Sequence, residues 1–382
     1  MEIHGFCDER FAKVRETFET NFERRGDVGA SYALTLEGEM VVDLWAGHRD
    51  ADQTLPWEEN TLVNVYSTTK TMAALCLLVL ASRDQVSFES PVAQYWPEFA
   101  QNGKEDVRLK HFMSHSAGLP GLDQPIDLDT LYNQDAMARL LAAQATWWEP
   151  GTHSGYHAVT QGHLIAEVVR RVSGVSIGTF FANEIAGPLE ADFHIGLDPA
   201  DFGRVGELIP APGGGSLTSG HKKDSMGYRA FSSIPTPVSA LTSDAWRQAE
   251  LPAVNGHGNA RSVARAQTPI ANAGSAFGVE LLSPSTVEGV FVEQTNGVDL
   301  CLGLPITFGM GYGLNSAAWP LKPTVEPDTC YWGGWGGSLV IADAAQRMCS
   351  AYVMNRMTGT TLGDRRAAAL AYATYECLGL RR

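Results

Sequence analysis

The chain has 382 residues, 44% hydrophobic and 19% charged, with net charge −15 and a pI of about 5.1. This is the composition of a globular protein with a sizeable core, and the negative balance argues against nucleic acid or an anionic membrane as partner. Six scattered cysteines without a Cys-x-x-Cys pair argue against a disulfide framework or a zinc site.

The first residues include acids and no apolar run, so they do not read as a secretory signal, and a cytoplasmic protein is expected. Over residues 8–25, Phe11, Val14, Phe18 and Phe22 recur at three- and four-residue steps, which predicts a helix. Ala30 to Leu36 and Met40 to Ala46 flank a Glu37-Gly38-Glu39 turn, a hairpin that opens an antiparallel sheet.

Tyr66-Ser67-Thr68-Thr69-Lys70 follows a short apolar run and precedes Met72 to Ala81, which is apolar all round. Such a helix is buried on every side, and this one is too short to span a bilayer. Serine and lysine three apart in a first helical turn share one face, and the helix N-terminus favours negative charge on the serine oxygen. A weak nucleophile can be activated this way without an adjacent histidine. Ser67 therefore reads as the nucleophile of an acyl-enzyme hydrolase, with a structural helix-start serine as the alternative.

Residues 91–254 look like a mainly helical insert, with helices expected over 107–114, 130–143, 158–173 and 177–186. Pro212 to Ser219 is a loop, and 205–258 gives no clear assignment. A helix is expected over 261–271, β-segments over 308–314, 330–335, 339–343 and 348–354, and a last helix over 362–378. Strands at both ends with helices between them predict an α+β architecture. One domain would be built from 1–90 and 255–382, with 91–254 inserted.

Ser-x-x-Lys alone is near chance level, and a second copy, Ser219 to Lys222, has no helix behind it and reads as accidental. Gly174-Val175-Ser176-Ile177-Gly178 matches a nucleophile elbow, which needs a strand before it. Here a helical pattern precedes, so Gly174 reads as a helix cap and Ser176 as the start of the next helix. The pairs His111/His115 and His153/His157 have helical spacing, but structural histidines are the better reading and no metal is expected. Gly309 to Gly313 has no following helix to bind phosphate.

Two further stretches pair with Ser67. Tyr156 ends a loop just before a helix. A cationic Lys70 would lower the pKa of its phenol and a neutral Lys70 would take the proton itself; either way the two form a base system for Ser67. Trp332-Gly333-Gly334-Trp335-Gly336-Gly337-Ser338 leads into a strand, where glycines admit substrate to the edge and a free N–H can face an oxyanion. A glycine turn with packed tryptophans is the plain alternative.

These stretches, together with Leu109 to Pro120 and Gly309 to Gly313, resemble the serine β-lactamase and penicillin-binding-protein superfamily. The resemblance is nearest to class C β-lactamases and family VIII carboxylesterases. It implies a cleft between an α/β domain and a helical insert, with Ser67 as nucleophile and Lys70 and Tyr156 as general bases. The N–H groups of Ser67 and Trp335 would form the oxyanion hole, and no cofactor is implied. β-Lactamases carry Tyr-x-Asn where this chain has Tyr156-His157-Ala158, and Lys-Thr-Gly where it has Trp332-Gly333-Gly334. Losing that lysine removes the cation that holds a β-lactam carboxylate, and Trp-Gly-Gly resembles the esterases. The expected activity is hydrolysis of small short-chain acyl esters, with Trp332, Gly333, Gly334 and His157 lining the substrate. A β-lactamase or D-amino-acid peptidase on the same scaffold, or a non-catalytic small-molecule binder, are the alternatives.

Overall fold

The computed structural model describes residues 1–211, 215–316, 319 and 327–380. Nine strands form one sheet: β1 (Ile3–Cys7), β2 (Gly29–Leu36), β3 (Glu39–Gly47), β4 (Thr295–Val298), β5 (Pro305–Phe308), β6 (Gly313–Leu314), β7 (Thr329–Gly333), β8 (Leu339–Asp343) and β9 (Met348–Met354). Their order is β1-β3-β2-β9-β8-β7-β6-β5-β4, antiparallel throughout. The fold is α+β, and its N-terminal and C-terminal strands join where β2 pairs with β9, in which Tyr32 faces Tyr352.

Period-two alternation decides which core each strand serves. On β9, Met348, Tyr352 and Met354 join a cluster covered by the helices Ala12–Arg25 and Arg365–Cys377. Cys349, Ala351 and Val353 face the opposite way, into the larger core that holds the central helix Thr69–Ser82. Residues 69–80 of that helix are all buried, as an apolar surface without a polar stripe requires. The helix Ala260–Ala271 lies between it and the sheet.

Several elements depart from expectation, the first where a side chain competes for the backbone. The helix expected over 130–143 breaks into Leu128–Tyr132 and Gln134–Ala143, because Asn133 accepts the N–H of Ala136 and restarts it. The β-segment expected over 308–314 turns at Gly309–Tyr312, where Gly311 has φ +92°. Residues 205–258 contain the short helices Met226–Ser233 and Asp244–Gln248. Of the Pro212–Ser219 loop, Pro212 to Gly214 lie outside the described residues. The strands β1 and β4 were not anticipated: both are sheet edges whose middle residues face solvent, so neither carries an alternating apolar pattern.

Candidate active site

Ser67 sits in a single 3-10 turn, Tyr66–Thr68, which runs directly into the central helix. Tyr66 is left-handed, with φ +45°, a conformation that costs a non-glycine residue about 1–3 kcal/mol. Neighbours on two sides hold it there. On one side the hydroxyl of Thr69 donates to the Tyr66 carbonyl and accepts the N–H of Gly256 at 2.9 Å, while Val65 N–H donates to Gly256 O at 2.9 Å. On the other, Ser338 Oγ donates to Val65 O and lies 3.0 Å from Thr68 Oγ1.

Lys70, one helical turn on, is buried, and its Nζ lies 3.2 Å from Ser67 Oγ. The same nitrogen donates to Ala158 O at 2.6 Å and to Ala253 O at 2.9 Å. No carboxylate pairs with it among the described residues, and burial holds its pKa well below the usual 10.5. A neutral amine has two N–H donors and one lone pair. In that form, with the donors on the two carbonyls, the lone pair would face the serine hydroxyl; in the charged form the third N–H donates to it.

Tyr156 closes the loop before the helix Thr160–Ser173, and its backbone N–H donates to Asp299 Oδ1 at 2.9 Å. Lys70 Nζ lies 4.8 Å from the centre of its ring. Burial pushes the phenol well above 10; the approach of Ser67 and Trp332 to it pulls the other way but less. The phenol is therefore neutral across the physiological range.

Trp332 points from the end of β7 into this core, with its ring 5.4 Å from Tyr156, 5.3 Å from Phe308 and 5.9 Å from His115. Its indole N–H has no hydrogen-bond partner among the described residues. Gly333 ends β7 and Gly334 begins the turn, donating to Ser338 O at 2.9 Å. Among the described residues, the backbone N–H groups of Ser67 and Trp335 donate to no carbonyl.

His157 needs a correction. Expected to line the substrate, it is fully buried: Nε2 accepts the N–H of Leu119 at 3.0 Å and Nδ1 donates to Gly155 O at 2.6 Å. Burial lowers its pKa to about 3, so it is a neutral brace with no free polar atom. The other motif matches fall away from the site. Ser176 caps the helix Ile177–Phe181 and donates to Glu250 at 2.7 Å, and Ser219 lies in a turn. Among the described residues no group of three or more His, Cys, Asp or Glu side chains is placed to hold a metal.

Several contributors escape sequence reasoning. The carbonyls of Ala158 and Ala253 carry no side-chain signal at all. His115 has φ +57° and accepts His157 N–H through Nδ1, within the Leu109 to Pro120 stretch that marked the resemblance. Asp299, wholly buried, accepts the N–H groups of Tyr156, Cys301 and Leu302, and it lies outside every motif.

Fold and site together define a half-buried serine held against a buried lysine and faced by a tyrosine, on an antiparallel sheet packed between helices. The chain belongs to the β-lactamase family, whose family model matches residues 14–374. It is 34% identical over 369 residues, 93% of this chain and 83% of the other, to the protein named esterase/β-lactamase LipL of Mycobacterium tuberculosis. It is 26% identical over 47% of its length, and 49% of the relative's, to esterase EstB of Burkholderia gladioli. Among solved structures it matches a family VIII carboxylesterase at 38% identity, with TM-score 0.93 over 99% of this chain and 100% of that one. A penicillin-binding-protein homologue from Caulobacter crescentus matches at 35% identity and TM-score 0.90, again over 99% and 100%.

Proposed function

We propose that this protein is a serine carboxylesterase that hydrolyses short acyl esters through an acyl-Ser67 intermediate in the cleft between sheet and helical insert. The observation that carries the proposal is the setting of Lys70: a buried amine with both N–H donors held by carbonyls and its remaining valence 3.2 Å from Ser67 Oγ. The relatives' names and the family VIII structure support the same activity.

In this reading the Ser67 oxygen bonds to the ester carbonyl carbon as its proton passes to Lys70. The carbonyl oxygen becomes an oxyanion facing the N–H groups of Ser67 and Trp335. Collapse breaks the bond to the alkoxy oxygen, Tyr156 protonates that leaving group, and Lys70 returns a proton to the phenol. Water then attacks the acyl-enzyme, with its proton taken by the same pair, and Ser67 is released with a carboxylic acid. With burial lowering the lysine pKa and raising that of the phenol, Lys70 is the first base and Tyr156 the relay.

Trp332 stands where β-lactamases carry lysine, and its packing with Tyr156, Phe308 and His115 makes a compact aromatic wall suited to a small uncharged group. Slow β-lactam cleavage would use the same steps. The six free cysteines support a reducing, cytoplasmic setting, and the acidic charge supports the absence of nucleic-acid or membrane partners. No helix among the described residues is long and apolar enough to cross a membrane.

The test pairs p-nitrophenyl esters of increasing acyl length with nitrocefin, and adds fluorophosphonate labelling read by mass spectrometry. Labelling at Ser67 with fastest turnover on short esters is expected. Faster nitrocefin turnover would favour the β-lactamase reading, and an unlabelled Ser67 would favour a non-catalytic binder.

A further inference from the structure

Behind the turn that joins β7 to β8 lies a buried ion cluster that the reaction scheme does not use. Arg366, 1% exposed, has all five of its N–H donors engaged. Nη1 donates to Asp27 Oδ1 and to Arg356 O, both at 2.8 Å. Nη2 donates to Asp364 Oδ2 at 2.6 Å and to Gly336 O at 3.0 Å, and Nε donates to Asp364 Oδ2 at 2.9 Å. Tyr352 donates its hydroxyl proton to Asp27 at 2.7 Å. Thr358 spans the cluster and the turn: its hydroxyl donates to Asp364 Oδ2 at 3.1 Å and its N–H to Gly336 O at 2.9 Å.

Two buried acids around one guanidinium are a poor way to gain stability. Desolvation of the three charges roughly cancels their attraction, and apolar replacements of such clusters are often neutral or better. What the guanidinium offers is a rigid planar fork. Here the fork grips the Gly336 carbonyl and closes on Gly337, where a β-carbon would stand 2.6 Å from Asp364 Oδ2 and φ is +128°. Gly337 N–H in turn donates to Gly334 O at 3.1 Å. In a trans peptide the N–H points opposite the carbonyl, so fixing Gly334 O fixes the direction of Trp335 N–H.

We propose that Arg366, clamped by Asp27 and Asp364, is a positioning residue that aims the Trp335 N–H at the oxyanion formed on Ser67. This rests on the reading of Ser67 and Trp335 given above.

The test compares Arg366→Met, Arg366→Lys and the milder Thr358→Val with the parent, measuring kcat, KM, Tm and inhibition by an alkylboronic acid, whose adduct with serine is tetrahedral. Displacing the donor should lower kcat about 30-fold in Arg366→Met and about 3-fold in Thr358→Val, with KM within about threefold. Boronate affinity should fall in proportion to kcat, because an interaction made only in the transition state leaves KM alone. Arg366→Lys should recover part of both. If Arg366→Met does not fold, Arg366→Lys and Thr358→Val carry the test. Folded variants that keep kcat and boronate affinity within about twofold of the parent would overturn the proposal. Fluorophosphonate labelling of the parent separates the two levels: an unlabelled Ser67 sinks the acyl-enzyme reading, whereas normal labelling with unaffected variants sinks only the role of Arg366.

Discussion

A β-carbon on Gly334 would lie 2.1 Å from the carbonyl oxygen of Val65. The backbone that leads to Trp335 therefore touches the backbone that leads to Ser67, and only glycine permits the contact. Gly334→Ala must push these two segments apart. We expect kcat to fall by about 10²–10³-fold, the usual cost of one oxyanion donor, with a smaller change in KM. Steady-state kinetics on a short p-nitrophenyl ester measure this, and a variant with parental kcat would place the oxyanion elsewhere.

Ser67→Ala should lower ester hydrolysis by at least about 10⁴-fold, since the covalent route is lost. Ser176→Ala should instead cost about 1 kcal/mol of stability, as loss of a helix cap does, with turnover close to parental. Side-by-side turnover and thermal melts distinguish the two, and the reverse pattern would reassign the nucleophile.

Tyr156→Phe keeps the ring that packs on Trp332 and removes the hydroxyl. Turnover should drop by about 10²–10⁴-fold, the range for loss of a general acid–base group. Because burial keeps the phenol protonated, the parent's acid limb in a kcat/KM–pH profile should reflect Lys70. Activity should fall as pH drops through the lowered lysine pKa. A kcat/KM profile with no fall toward acid pH would contradict that assignment.

Lys70 also makes a prediction about stability. Its folded pKa lies well below 10.5, so between the two values the unfolded chain binds one proton more than the folded one. Stability must then rise with pH across that window, by up to about 1.4 kcal/mol per unit from this group. Lys70→Met should flatten the slope by that amount while abolishing turnover. Urea unfolding of parent and variant at several pH values measures it, and equal slopes would mean that the lysine is charged when folded.

The parts legible in the sequence were those with strong local periodicity. The hairpin β2–β3, the helix Ala12–Arg25 and the wholly apolar helix behind Ser67 follow from residue spacing and burial alone. The serine, lysine and tyrosine were recognisable because each belongs to a side-chain motif. What stayed hidden was contributed by backbone or by distance: the carbonyls of Ala158 and Ala253, the Val65 oxygen against Gly334, and Asp299 under Tyr156. His157 misled for the opposite reason, since a polar residue beside the motif tyrosine looks like substrate contact until both its ring nitrogens are found bonded to backbone.

The pairing of β2 with β9 sets the timetable of assembly. Residues 29–36 must wait for 348–354 before the N-terminal strands can join the rest of the sheet. A ribosome has made the serine and its helix long before their supporting wall exists, and closing so long a loop is slow. The surroundings of Ser67 are therefore complete only once the C-terminal strands have been made. Until then the apolar helix lacks its partners, the condition in which chains of this size are prone to aggregate.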